Sequence, residues 1–339
     1  MDPGQVTSAR PLLAVAVGTY LRDAWHDARL ELKDFAPFGD GHSGETFRAT
    51  VSSRRYEGAV VLRLSPKGVA ISGPADVGRQ GRIMRALHDS GGPAPAVLAA
   101  DSGPVVDGRA VAVMELVPGD GWAAFASRRG HRATASAAVE ALKAVQRLSP
   151  AASGIGLGSP FAPLEEVDRW SVLLRRCPEE ILPPAQALRE QLGELAGAAG
   201  LGAPPVLVHG DFHYGNALFG TESVIAVLDW EIAALGHPLT DLGCLAVASL
   251  RRRYRPDPNP TGDVDLPLAE LAESYGAPPR ALAWHTAASC LKYAAIIGYN
   301  LSLHRRGKRD DPIYESLQNT MHRLLADGGQ LLGTGLGDL

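Results

Sequence analysis

Residues 206–231 read VLVHGDFHYGNALFGTESVIAVLDWE and hold the densest group of reactive side chains in the chain. Two apolar runs, Val206 to His209 and Val224 to Leu228, read as short strands, and each passes at once into a polar loop. Polar groups at the exits of buried strands face a cleft, since a buried loop would leave its backbone groups without partners. Asp211 and Asn216 lie five residues apart on the first loop, and Asp229 lies on the second. A carboxylate that orients or deprotonates a hydroxyl, next to hard oxygen donors for magnesium, is the set that phosphoryl transfer from a nucleotide requires. A lone Asp or Asn in a loop is ordinarily a turn or cap residue. Three at this spacing after two strands exceed what turn chemistry explains.

The rest of the chain divides at Pro118-Gly119, a pair that ends a strand and permits a change of direction. Before it, a strand from Phe35 leads through the glycine-rich Gly39 to Gly44 to strands at Thr46 to Val51 and Ala59 to Leu64. Further strands follow at Val97 to Ala100 and Ala110 to Leu116. Val77, Ile83, Met84 and Leu87 recur at helical spacing over Asp76 to His88, stopped by Gly91-Gly92-Pro93. After Pro118 the pattern predicts helices at 134–148, 170–176, 184–199, 241–253, 266–275, 279–304 and 312–332, with a loop over Arg255 to Asp265. The expected organisation is a helical segment at 1–34, a β-rich unit at 35–117, a helical unit at 118–332 and a tail at 333–339. About five strands are expected in the β-rich unit, with the 76–88 helix against them.

Composition narrows the function classes. Lys plus Arg number 33 against 37 Asp plus Glu, so the basic surplus of a phosphodiester-binding surface is missing and nucleic acid is not an expected partner. No apolar run approaches the roughly 18 residues of a membrane span, and Leu12 to Val17 reads as part of an ordinary first helix. Cys177, Cys244 and Cys290 are scattered and odd in number, which fits reduced thiols and a cytoplasmic location.

The run His209-Gly210-Asp211 through Asn216, then Leu228-Asp229-Trp230-Glu231, Gly236-His237-Pro238 and Asp241-Leu242-Gly243, resembles the aminoglycoside phosphotransferase and choline kinase group of kinase-like small-molecule phosphotransferases. Within that group it looks most like the branch associated with acyl-CoA dehydrogenases, and the resemblance covers about residues 30–325. It implies an α+β, two-lobed protein-kinase-like fold, with a small β-rich N-lobe and a large helical C-lobe. ATP or GTP and Mg²⁺ are the implied cofactors, and a small hydroxylated molecule the implied substrate. By the same resemblance Asp211 is the catalytic base, Asn216 and Asp229 the metal ligands, and Met114 to Val117, with Glu115 and Val117, the hinge that meets an adenine. Gly41, Ser43 and Gly44 would cover the phosphates. His209, Glu231 and Asp241 would support them, Asp241 by accepting hydrogen bonds from the catalytic-loop backbone.

Two positions depart from the kinase pattern. Arg63 stands where a kinase places its phosphate-pairing lysine, and Gln80 where the glutamate holding that cation belongs. Arginine stays cationic and forks onto phosphate, and the glutamine keeps an acceptor for it without the charge. Two alternatives remain open: a kinase-like nucleotide-binding protein without turnover, and a zinc-dependent hydrolase using His209, Asp211 and His213, which alternate and would share a face if extended. The basic runs Arg251-Arg252-Arg253 with Arg255, and His304-Arg305-Arg306 with Lys308-Arg309, favour an anionic or neutral acceptor if either faces the cleft. Hydroxy acids, hydroxyacyl thioesters, antibiotics and other natural-product alcohols all qualify.

Overall fold

The computed structural model describes residues 3–39, 45–149, 155–200, 202–250 and 264–337, with side chains from position 11 onward. Gly41, Ser43, Gly44, Arg251-Arg252-Arg253, Arg255 and most of the expected loop after it lie outside the described residues. The chain forms two compact units, one holding the residues through Gly119 together with Ala226–Ile232, the other Asp120–Ile225 and Ala233 onward.

The first unit is built on one antiparallel sheet of five strands in the order β1-β2-β3-β5-β4, where β1 is Glu31–Pro37, β2 Glu45–Ser52, β3 Glu57–Leu64, β4 Val97–Val106 and β5 Arg109–Glu115. Alternation sets its faces: Phe47, Ala49 and Val51 on β2 and Val60, Leu62 and Leu64 on β3 are buried with Val17, Leu21 and Trp25 of helix α1 (Pro3–Trp25). Helix α2 (Val77–Asp89) packs with β4 and β5, its first turn capped by Asp76, whose carboxylate accepts the Arg79 N–H at 2.8 Å. A Cβ on Gly78 would stand 2.3 Å from the Asp101 carbonyl carbon, and one on Gly81 2.7 Å from the Ala100 Cβ. Glycine at both positions lets the helix lie directly on the strand.

The second unit is mainly helical: α3 (Trp122–Arg129), α4 (His131–Gln146), α5 (Pro163–Ser171), α6 (Leu182–Glu194), α7 (Leu239–Leu250), α8 (Leu268–Tyr275), α9 (Pro279–Arg305), α10 (Ile313–Ser316) and α11 (Gln318–Thr334). Helix α9 is buried along most of its length and packs against α7, α11, α5 and α6. Strand β6 (Val206–Val208) pairs antiparallel with β9 (Ala234–Gly236), and β7 (Ala217–Phe219) pairs with β8 (Val224–Val227). Strands β7 and β9, Ala-Leu-Phe and Ala-Leu-Gly, have three residues each and no β-branched side chain, so they leave no strand signal in the sequence. The helix expected at 170–176 starts instead at Pro163, because proline suits the first turn and the Glu165 carboxylate caps the Ala162 N–H at 2.7 Å. Its expected second half is a 3₁₀ turn, Val172–Arg176. The helix expected at 312–332 breaks at Leu317. Among the described residues no helix is long and apolar enough to cross a membrane.

Candidate active site

The second unit holds the HGD loop. β6 ends at Val208, and the chain turns at Gly210, whose φ of 87° suits glycine. The Asp241 carboxylate, at the start of α7, accepts the His209 N–H at 2.7 Å and the Gly210 N–H at 2.8 Å. Burial pushes this carboxyl up against the pull of the His209 ring and of those two donors. His209 is fully buried, and its Nδ1 accepts the Asp211 N–H at 3.2 Å. Asn216 donates from Nδ2 to the Asp211 carbonyl at 3.0 Å, and the same nitrogen lies 3.5 Å from Asp211 Oδ2. With its amide N–H committed there, the Asn216 amide oxygen is the atom suited to meet a cation.

Helix α9 reaches the same loop. The Tyr293 hydroxyl donates to Asp211 Oδ1 at 2.7 Å, and the Lys292 ammonium donates to the Gly210 carbonyl at 2.5 Å and lies 2.9 Å from Cys244 Sγ. His213 Nε2 stands 3.5 Å from Asp211 Oδ2, while its Nδ1 accepts the Gly215 N–H at 3.0 Å. Burial alone would raise the Asp211 carboxyl; the His213 hydrogen bond and charge, the Lys292 charge and the Tyr293 hydroxyl outweigh it and hold it well below the usual carboxylate range. Asp211 is therefore an ionised carboxylate, and 32% of its side chain stays exposed, open to a substrate. The buried Cys244 thiol is pushed up and stays protonated.

The first unit holds the DWE turn. Trp230 is fully buried and donates from Nε1 to the Val227 carbonyl at 2.9 Å, which fixes the turn beside it. Asp229 sits in the left-handed region with φ of 68°, a conformation that aspartate tolerates better than most residues but that must be held by its surroundings. Its Oδ1 receives Arg63 Nη1 at 3.1 Å, from near the end of β3 where Arg63 stands opposite Thr46 and Ala112. The sequence led us to expect Gln80 to accept from Arg63, and it does not. Its Nε2 donates to the Pro74 carbonyl at 3.0 Å, and its Oε1 meets no donor among the described residues. The carboxylate wins the guanidinium because a charge-assisted bond is stronger than one to a neutral amide. Glu115 ends β5, with its Oε1 accepting the Ala96 N–H at 3.0 Å. The Val117 carbonyl accepts from Gly119 at 3.0 Å. Glu231 is half-buried in the turn after Trp230.

The second unit thus brings together His209, Asp211, Asn216 and Asp241, and the first brings Arg63 to Asp229. The extended segment that would align His209, Asp211 and His213 for zinc is not formed: β6 stops at Val208, His209 points inward, and no metal-holding group of three or more His, Cys, Asp or Glu occurs among the described residues. In the basic run at 304–309, Arg305 pairs with Glu315 at 2.7 Å, Arg309 lies 3.6 Å from Asp311, and Arg306 donates to the Ser302 carbonyl. Sequence reasoning missed Lys292 and Tyr293. Their signal was a lysine and a tyrosine inside the apolar run Ala287 to Ile297, positions that a purely structural helix would fill with apolar side chains.

Residues 34–285 match the model of a phosphotransferase enzyme family. Human acyl-CoA dehydrogenase family member 11 is 30% identical over 216 residues, a stretch covering 61% of this chain and 27% of that protein, so the chain spans well under half of this longer relative. Among solved structures, a candidate aminoglycoside phosphotransferase from Ralstonia eutropha superposes with a TM-score of 0.70 at 20% identity, covering 94% of this chain and 98% of that one. A thermostable mutant of aminoglycoside phosphotransferase APH(4)-Ia, in ternary complex with AMP-PNP and hygromycin B, gives a TM-score of 0.63 at 15% identity over 96% and 100% of the two chains. At such identities what is shared is the fold, the two-lobed kinase-like α+β architecture expected from the sequence.

Proposed function

The chain belongs to the phosphotransferase enzyme family, and we propose that it transfers the γ-phosphate of ATP or GTP to a hydroxyl of a small molecule, with Mg²⁺ as cofactor. The observation that carries this reading is the ionised, partly exposed Asp211 carboxylate on a loop whose backbone is held by Asp241. Asp211 orients the acceptor hydroxyl and takes its proton as the acceptor oxygen bonds to the γ-phosphorus, and the bond to the bridging oxygen breaks to release the nucleoside diphosphate. Asn216 and Asp229 supply a hard amide oxygen and a hard carboxylate, a donor set that suits magnesium. When bound, that ion neutralises charge developing on the phosphates. Arg63 pairs with phosphate oxygens. Glu115 and Val117 meet the base, Gly41, Ser43 and Gly44 cover the phosphates, and Glu231 assists beside Asp229. His209, Asp241 and Gln80 act in support.

The acceptor is proposed as a hydroxylated small molecule. The complex with hygromycin B supports an antibiotic alcohol, and the relative named for acyl-CoA dehydrogenases supports a hydroxyacyl thioester. Hydroxy acids and other natural-product alcohols complete the set. A screen of these four classes for acceptor-dependent ADP release from MgATP is the deciding experiment: at least one is expected to raise ADP release above the acceptor-free rate. ATP binding without acceptor-dependent release in any class would favour a nucleotide-binding protein without turnover, the alternative to which Arg63 and Gln80 point.

A further inference from the structure

We propose that Tyr293 is a positioning residue for phosphoryl transfer: its hydroxyl fixes one oxygen of the Asp211 carboxylate and thereby presents the other to the acceptor hydroxyl. The inference rests on Asp211 being the base.

The two Asp211 oxygens are not equivalent. Oδ1 receives the Tyr293 hydroxyl at 2.7 Å, a full-strength charge-assisted bond. Oδ2 has two donors at 3.5 Å, Asn216 Nδ2 and His213 Nε2, both at the outer limit of a hydrogen bond. Oδ2 is therefore the oxygen with a vacant strong-bond direction, and an acceptor hydroxyl is the group that would fill it. His213 Nδ1 already accepts the Gly215 N–H, so the ring nitrogen that faces Asp211 is Nε2, a donor. Tyr293 and Lys292 are consecutive residues of α9, and Lys292 holds the Gly210 carbonyl while Asp241 holds the Gly210 N–H. The backbone before Asp211 is thus fixed on both sides. The carboxylate torsion remains, and the Tyr293 hydroxyl sets it. Displacing a reacting group by about 1 Å costs on the order of 10²-fold in rate.

The test is a double-mutant cycle on the full chain, read as single-turnover ADP release from MgATP with water as the acceptor. Tyr293→Phe should lower the rate by about 10- to 100-fold with the ATP KM within about twofold of the parent. In the Asp211→Asn background the same substitution should change nothing further, because the group it positions has lost its charge. Additive losses, or an unchanged rate in Tyr293→Phe, would overturn the inference while leaving Asp211 as the base. Full activity in Asp211→Asn would overturn both. Should Tyr293→Phe fold poorly, trifluorotyrosine placed at position 293 keeps the ring and makes the hydroxyl a stronger donor; a rate that shifts with this acidity supports positioning, and an identical rate overturns it.

Discussion

Arg63 and Asp229 hold one another at 3.1 Å, so under the proposed function Asp229 competes with the nucleotide phosphates for the guanidinium. A guanidinium fork can exchange a carboxylate for phosphate oxygens without ever deprotonating. Arg63→Ala should therefore weaken ATP by at least about tenfold, which is about 1.4 kcal/mol, and leave adenosine within about twofold. Gln80→Ala should alter either ligand less, since Oε1 holds nothing among the described residues. Calorimetric titration of each variant with ATP and adenosine measures the difference, and equal losses for both ligands in Arg63→Ala would remove Arg63 from the phosphates. At this scale the sequence was legible where chemistry and spacing coincide, as in Asp211 with Asn216. Tyr293 lies 82 residues from Asp211, so the bond between them depends on tertiary packing that no local pattern encodes.

Helices α7 and α9 pass so closely at Gly243 that a Cβ there would stand 2.5 Å from the His285 carbonyl oxygen. The backbone of neither helix can yield easily, and overpacking of this kind costs about 1–3 kcal/mol, occasionally more. Gly243→Ala should lower the melting midpoint by several degrees, given roughly 2–4 °C per kcal/mol for a domain of this size. Gly193→Ala is the control: it lies in α6 with nothing within 4 Å of the added Cβ, so helix propensity alone acts and the midpoint should hold or rise slightly. Matching losses in the two variants, by calorimetry, would rule out the close-approach explanation. Longer elements were legible because apolar positions recur at helical or alternating spacing, as along α2 and β3. Strand β6 was legible from its β-branched Val206 and Val208, whereas β7 and β9, Ala-Leu-Phe and Ala-Leu-Gly, carry neither a period nor a β-branched residue.

Among the described residues, an acid-sensitive feature that acts nearest neutral pH is the stacked pair His237 and His285, with ring centroids 4.5 Å apart. Burial, then the neighbouring His237 charge, lowers the His285 pKa to about 3, against a hydrogen bond to the Ala199 carbonyl that favours the charged ring. His237 is lowered too, chiefly by burial. Between about 3 and the ordinary histidine value near 6.5, the unfolded chain binds protons that the folded chain refuses. The contribution of His285 is therefore fully present above pH 6.5 and is lost as pH falls through that window. Asp211 has the same direction but acts lower: its folded pKa is depressed, so its contribution is lost below the ordinary aspartate value near 3.8. Lys292 is raised, so it enters only in the alkaline range. Each proton that the folded chain fails to bind is worth at most about 1.4 kcal/mol per pH unit, which bounds the His285 effect from pH 6.5 to pH 5 at about 2 kcal/mol. Urea midpoints at pH 7 and pH 5 should show the parent losing stability on acidification, and His285→Gln, which retains an amide donor for the Ala199 carbonyl, losing visibly less. Parallel losses in the two proteins would show that His285 is not the group that makes the fold acid-sensitive.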